Sequence, residues 1–331
     1  MSTPLKSHLA SMANRRVLVI GDVILDEYIT GRVMRMSREA PVPVLELESK
    51  RYIAGGAANP AVNIASLGGR AIQLGLVGED APGEQLKQIL AERGVETSGI
   101  VSSADRPTTV KTRILAQMGL RFPQQVTRID TLTRRPIDND TESLLVDHAS
   151  RRLGDVDAAL LSHYHGGLLT PSFVARIRDL CAAFDVLLTA DVQGNFQTFS
   201  HLDVIKCNAE DAQRYLNRKL ATDIEFGEAA LQLHDRLAIR RATIITRGDR
   251  GATLAANGES AHCPAPLVSD VFDTVGAGDT AIAALTLALA ADLHAADAVM
   301  LANHASGIVV RSLGNCAPTP AELLRSIDGE L

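Results

Sequence analysis

Residues 273–280 read DTVGAGDT and run directly into AIAALTLALA (281–290). Gly276, Ala277 and Gly278 form a turn whose successive backbone N–H groups can face an anion. The apolar run behind them reads as a buried helix with its positive end aimed at the same place. Asp279 stands in the first turn of that helix, where the dipole favours the ionised carboxylate. A base beside an anion-binding turn is the equipment for phosphoryl transfer to a hydroxyl. Taken alone, an Asp near a helix start is more often only a first-turn charge, so the remaining chain decides.

Upstream, short aliphatic runs recur: RVLVIGD (16–22), AIQLGLVG (71–78), DAALLSHY (157–164), VLLTAD (186–191), DVIKCN (203–208) and ATIITRG (242–248). Helical patterns such as GEQLKQILAERG and SFVARIRDLCAAF lie between most of them. The alternation predicts an α/β fold, a mostly parallel sheet covered on both faces, with ligands beyond the carboxyl ends of the strands. Residues 30–53 (TGRVMRMSREAPVPVLELESKRYI) and 107–130 (PTTVKTRILAQMGLRFPQQVTRID) break the rhythm, with strand alternation, prolines and many charges. They predict a small β appendage acting as a lid over the strand ends; an edge extension of the main sheet is the alternative.

Three further motifs stand along the chain. GDVILDEY (21–28) puts Asp22 and Asp26 where a strand ends, which suits the hydroxyls of a polyol; a turn with a helix N-cap is the plainer reading. In GGAANPAVNIASLGG (55–69), Gly55 and Gly56 permit close backbone approach, while Asn59 and Asn63 share a helical face and can grip a polar ligand. TRGDRGATL (246–254) offers Gly248 and Gly251, whose backbone N–H groups can meet a phosphate. It is neither the GK[ST] of a P-loop nor a dinucleotide GxGxxG, and the first strand is followed by GDVILD, which argues against a dehydrogenase.

Composition narrows the class. With 331 residues and 46% hydrophobic content the chain can bury a large core. Its net charge of −6, with both signs interspersed, gives no basic stripe for nucleic acid and no polybasic patch for a membrane. Cys181, Cys207, Cys263 and Cys316 form no CxxC pair, so a disulfide framework or zinc site is not indicated and a cytoplasmic location is expected. The N-terminal residues carry no signal-peptide core, and the apolar run after residue 280 falls short of the roughly 20 residues a membrane span needs.

Taken in order, these motifs make the chain resemble a PfkB (ribokinase-like) sugar kinase from about Arg16 to about Leu324. Within the family, GDVILDEY, SREAPVPVLEL (37–47) and GGAANPAVNIASLGG most resemble the kinase domain that phosphorylates D-glycero-D-manno-heptose 7-phosphate at the anomeric hydroxyl. The resemblance implies a ribokinase-like three-layer α/β/α sandwich, one kinase domain over 1–331 with the lid segments inserted, and a homodimer through the lid. It also implies transfer from ATP with Mg²⁺, and K⁺ in many members. A stand-alone kinase is expected, without the nucleotidyltransferase domain that some such proteins carry.

By motif match, Asp279 would be the base, and Gly276, Ala277 and Gly278 the anion hole. Asp22, Asp26, Gly55, Gly56 and Asn59 would hold the sugar. Asn208, Thr246, Gly248, Gly251 and Asn303 would line the nucleotide site, and Asp273 and Val275 the monovalent-cation loop. The family's Asn-x-x-Glu, which organises Mg²⁺, appears as Asn208-Ala209-Glu210-Asp211, with Asp211 one methylene short.

Two other departures bear on the substrate. HYHGG (163–167) replaces the heptose kinases' DYxKG, and Asp191-Val192-Gln193 replaces their DPK. A phosphorylated sugar carries about two negative charges, so two lost lysines weigh against it unless Lys111 and Arg113, or Arg128, on the lid take their place. His163 and His165 are further candidates, although a loop histidine more often has a structural role. The alternatives are a kinase for an unphosphorylated sugar or a nucleoside, and a catalytically weak nucleotide-binding regulatory protein. An aromatic content of 3% without Trp weighs against a base-stacking pocket, and retention of Asp279 weighs for an active enzyme.

Overall fold

A computed structural model describes residues 2–117, 123–268, 271–312 and 314–330. Residues 118–122, inside the second expected lid segment, lie outside the described residues. The strands are β1 (Arg16–Gly21), β2 (Val23–Met36), β3 (Pro43–Gly56), β4 (Arg70–Gly78), β5 (Glu96–Ser103), β6 (Val110–Gln117), β7 (Gln124–Thr131), β8 (Ala158–Ser162), β9 (Leu187–Asp191), β10 (Val204–Asn208), β11 (Ala242–Thr246), β12 (Ala252–Ala256) and β13 (Glu259–Cys263). The helices are α1 (Ser2–Met12), α2 (Ala58–Ser66), α3 (Ala81–Glu92), α4 (Asn139–Leu153), α5 (Pro171–Ala183), α6 (Ala209–Leu216), α7 (Asp223–Arg236), α8 (Ala277–Ala290), α9 (Ala295–Val309) and α10 (Pro320–Ile327).

Nine strands form the main sheet in the order β13-β12-β11-β10-β9-β8-β1-β4-β5. It is parallel from β11 through β1 to β5, and β12 and β13 add antiparallel strands at one edge. The period-2 alternation of RVLVIG explains the three layers. Val17 and Val19 face a core built with α2, α8, α9 and α10, while Leu18 and Ile20 face a second core built with α4, α5 and α7. Because β4 and β8 flank β1 on opposite sides, the chain reverses direction across the sheet there, which opens a crevice at the carboxyl ends.

The second sheet, β3-β2-β6-β7, contains the expected lid segments but is larger than the sequence implied. Asp22 is followed at once by β2, so GDVILDEY is neither a turn nor a helix cap. Ile24 and Leu25 are both buried, and burial of apolar groups on both faces favours the extended chain here. α8 is buried along almost its whole length, and the hydroxyl at its middle, Thr286, meets the Thr189 hydroxyl at 2.7 Å. That bond removes the cost of an unpaired polar group in the core. Among the described residues, no helix is long and apolar enough to cross a membrane.

Candidate active site

Each strand near the crevice delivers one polar group at its end. Asp22 directly follows β1, Tyr164 lies two residues past β8, and Asp191, Asn208 and Thr246 are the last residues of β9, β10 and β11. All of these but Asp22 line, with the start of α8, a cavity of about 140 Å³ to which Gln193, Lys206, Gly276, Gly278 and Asp279 also contribute.

Asp279 is buried here, and both of its oxygens are engaged. Asn59 Nδ2 donates to Oδ2 at 2.8 Å, and the Tyr164 hydroxyl donates to Oδ1 at 2.5 Å. Asn63 Nδ2 donates to the Asn59 carbonyl and Oδ1, and Asn63 Oδ1 accepts from the Thr280 hydroxyl at 2.8 Å. The Asn59–Asn63 pair thus faces α8 and aims the carboxylate. Burial pushes Asp279 up to about 6, the nearby Asp191 adds to that, and the bonds from Tyr164 and Asn59 and the charge of Lys206 oppose it. The carboxylate is therefore mostly ionised at neutral pH yet basic enough to accept a proton.

Gly276 caps α8 with φ of +81°, a conformation that side chains resist. No side chain caps this helix start; the Ala277 N–H is bonded to the Thr274 carbonyl at 3.3 Å and Ala277 does not line the cavity, which leaves the N–H groups of Gly278 and Asp279 as the first-turn donors at its wall. Lys206 Nζ lies 2.8 Å from the Asp191 carboxylate and donates to the Gly278 carbonyl at 3.1 Å.

A second cavity of about 200 Å³ lies against the small sheet and is lined by Asp22, Lys111, Arg128, Arg134, Tyr164 and His165, among others. Asp22 accepts from the backbone N–H groups of Tyr164, Gly166 and Leu168 at 2.9, 3.0 and 3.2 Å, which ties the HYHGG loop to β1. Gly56, with φ of +55°, brings its backbone so near the Asp22 carbonyl that an added Cβ would sit 2.4 Å from it. Burial pushes the Lys111 ammonium down, and Arg128 and Arg113 push the same way against Asp26 and Asp130. Such a cation gains from an anionic ligand.

Other expected residues take different roles in the geometry. Asp26 lies within β2 and is held by Arg113 at 2.6 Å and by Asn315 Nδ2 at 3.0 Å, with Gly55 packed on its carboxylate. Neither Asp26 nor Arg113 lines either cavity. His163 is buried against His165 and Phe199, and burial and then His165 push it down to about 4, which leaves a neutral ring at pH 7.

Asn208 caps α6, accepting from the Asp211 N–H at 2.7 Å and donating to its carboxylate at 2.8 Å, while Arg214 holds the other Asp211 oxygen at 3.0 Å. Asp273 accepts from the N–H groups of Val275 and Gly314, both at 3.0 Å, and closes the loop before α8. Asn303 Nδ2 donates to the carbonyls of Cys263 and Pro264. Gly248 and Gly251 bound the short turn after β11. Gly248, Gly251, Asn303, Asp211, Asp273 and Val275 line neither cavity, whereas Thr246 and Asn208 line the first.

Tyr164, Lys206 and Arg134 were not among the expected site residues. Lys206 had a signal, a lysine inside the otherwise apolar strand VIKC. Tyr164 had one as well, since it stands where the DYxKG pattern has its tyrosine, whereas nothing local distinguishes Arg134; the fold brings both in from loops.

A buried, oriented carboxylate, a helix start without a side-chain cap and a neighbouring charged cavity at the carboxyl ends of a parallel sheet form an arrangement suited to phosphoryl transfer. Residues 14–322 match the family described as pfkB family carbohydrate kinase, and the chain belongs to that family. It is 37% identical over 326 residues to the bifunctional protein HldE of Hyphomonas neptunium (strain ATCC 15444), covering 98% of this chain and 65% of that one. Against the bifunctional protein HldE of Helicobacter pylori (strain HPAG1) it is 34% identical over 310 residues, covering 93% of this chain and 65% of that one. The chain thus spans about two thirds of the length of these relatives.

Two solved structures share the fold. Phosphofructokinase-2 from Escherichia coli, in complex with substrates and products, superposes with a TM-score of 0.77 at 18% identity, covering 96% of this chain and 99% of the other. Ribokinase from Arabidopsis thaliana, complexed with ribose and ATP, gives 0.72 at 20% identity, covering 95% and 99%. The expected ribokinase-like sandwich with a small β sheet is therefore the fold of this carbohydrate kinase.

Proposed function

We propose that the protein transfers the γ-phosphoryl group of ATP to a hydroxyl of a phosphorylated sugar, with D-glycero-D-manno-heptose 7-phosphate as acceptor and the 1,7-bisphosphate as product. The supporting observation is the placement of Lys111, Arg128 and Arg134 around the cavity that adjoins the base. Arg128 is paired through two bonds with Asp130, which lines the same cavity, so Lys111 and Arg134 are the cations that suit the phosphate of the acceptor in place of the two lysines missing from HYHGG and from Asp191-Val192-Gln193. The HldE relatives favour a heptose.

In the reaction, the acceptor O–H gives its proton to Asp279 as its oxygen bonds to the γ-phosphorus. The bond from that phosphorus to the bridging oxygen breaks, and ADP leaves. The N–H groups at the start of α8 and the Lys206 ammonium hold the charge on the equatorial oxygens. A Mg²⁺ ion arriving with the nucleotide would supply screening of the phosphate charge. Asp211 would be its carboxylate only by giving up a bond to Asn208 or Arg214, since both of its oxygens are engaged and it lines neither cavity. Asp273 and Val275 remain the candidates for a K⁺ loop.

A homodimer through the small sheet accords with its exposed apolar side chains, among them Met34, Met36, Leu47, Val126 and Ile129.

The test is ATP turnover with heptose 7-phosphate, fructose 6-phosphate and free sugars side by side, repeated with Lys111→Met. The proposal expects the heptose phosphate to be preferred, and Lys111→Met to raise its KM while leaving the KM of free sugars nearly unchanged. Turnover of free sugars with rejection of every phosphorylated one would overturn it.

A further inference from the structure

The two cavities share a single lining residue, Tyr164. Asp279 lines the phosphoryl cavity but not the cation-lined one, so an acceptor seated among Lys111, Arg128 and Arg134 meets the base only past this ring. The Tyr164 hydroxyl already holds Asp279 Oδ1 at 2.5 Å, and Asn59 holds the other oxygen. The Tyr164 backbone is fixed by its N–H bond to Asp22, which leaves the side chain as the part that can turn. Above the ring, the Lys111 ammonium stands 5.4 Å from its centroid.

We propose that Tyr164 is a gate and positioning residue: its phenol occupies the place of the acceptor hydroxyl on Asp279 until a sugar entering the cation-lined cavity displaces it. The phenol has the same donor geometry as the incoming alcohol, and it keeps water from the base while the γ-phosphate waits nearby. An acceptor phosphate draws the Lys111 ammonium to itself and so weakens the contact that steadies the ring. Entry of the correct substrate and release of the base become one event, a form of induced fit. The gate rests on the phosphoryl-transfer reading above.

Without the phenol, water can take the acceptor's role. Its proton goes to Asp279, its oxygen bonds to the γ-phosphorus, the bridging P–O bond breaks, and ADP and inorganic phosphate leave. The groups facing Asp279 are Asn59 from α2, Asp191 from β9, Lys206 from β10 and Tyr164 itself. Of these, a Tyr164→Phe change removes the phenol's bond to Asp279, one that favours the carboxylate, and with it the phenol's contact with the Gln193 side chain.

The experiment measures ATP hydrolysis by Tyr164→Phe in the absence of any sugar, together with the pH profile of kcat/KM. Phe keeps the ring and its contact with Lys111, and thermal melting checks that it folds. The gate predicts a several-fold rise in sugar-free hydrolysis and an acid limb moved to higher pH. Hydrolysis that is unchanged or lower, with an unmoved acid limb, overturns it. A second measurement uses the wild-type chain, which has four Tyr and no Trp, so tyrosine emission is readable. Heptose 7-phosphate should raise emission in the wild type, as the phenol leaves its carboxylate, and not in Tyr164→Phe; equal responses overturn the gate. Since the hydrolysis assay contains no sugar, a wrong choice of acceptor leaves its outcome intact.

Discussion

Lys206 and Asp191 form a buried ion pair 2.8 Å apart on adjacent parallel strands, with side chains only 4% and 6% exposed, at the wall of the phosphoryl cavity. An ammonium has three donors, and the pair with Asp191 and the bond to the Gly278 carbonyl account for two. Breaking such a pair leaves a buried charge uncompensated, at a cost of about 3–5 kcal/mol. Lys206→Met is therefore expected to lose stability of that order in urea unfolding and to lower kcat by roughly 10²–10³-fold. Adding Asp191→Asn should recover much of the stability and little of the turnover, which separates packing from chemistry.

For Asp279 the folded carboxyl holds its proton more tightly than the ordinary value of 3.8, at about 6. Its contribution to stability is thus present below about pH 4 and lost as pH rises through about 6. Above that, the ionised group costs the fold on the order of 3 kcal/mol. Asp279→Asn is expected to abolish measurable turnover, yet to melt higher than the wild type at pH 8 and show no such gain at pH 4. Melting curves at the two pH values check this.

The same group sets the rate profile. Because the base must be ionised to accept the acceptor's proton, kcat/KM should climb about tenfold per pH unit below about 6 and level off above it. A flat profile between pH 5 and 7 would remove Asp279 as the base.

Gly276→Ala should disturb two groups at once. The added Cβ would sit 2.7 Å from Asn315 Oδ1 and 3.0 Å from Asn59 Nδ2, on a backbone held at φ of +81°. The strain costs about 1–3 kcal/mol. Displacing Asn59 also misaims the base, and misplacement by 1 Å is worth about 10²-fold in rate. Steady-state kinetics with an unchanged KM for ATP would fit this account.

On the small sheet, Leu47→Glu or Ile129→Glu places a charge on a side chain 64% or 55% exposed. If these faces pair between two copies, light scattering should show the variant as a monomer while the wild type is a dimer. A wild type that is already monomeric would remove the dimer.

Much of this site was legible along the chain. Asp279, Gly276 and Gly278 sit together because one turn and one helix start place them, and a local stretch of sequence fixes such geometry. Unbroken aliphatic runs such as RVLVIG, separated by helical patterns, specified a covered parallel sheet, because a strand buried on both faces is apolar at successive positions. Less legible was GDVILDEY, where local propensity allowed a turn but pairing with β3 and β6 selected a strand.

What the sequence by itself determined was the turn before α8, the layered architecture and the kinase family, all carried by contiguous motifs. Only the tertiary structure decided which groups face that turn. Asn59 reaches Asp279 across 220 positions, Tyr164 across 115, and Asp26 meets Asn315 across 289. Partners so distant are set by how the strands order themselves and where their ends converge, and propensity and spacing carry no record of that ordering. For the same reason Lys111 came to line a cavity, while Arg113, two residues along the same strand, was held by Asp26 inside the small sheet.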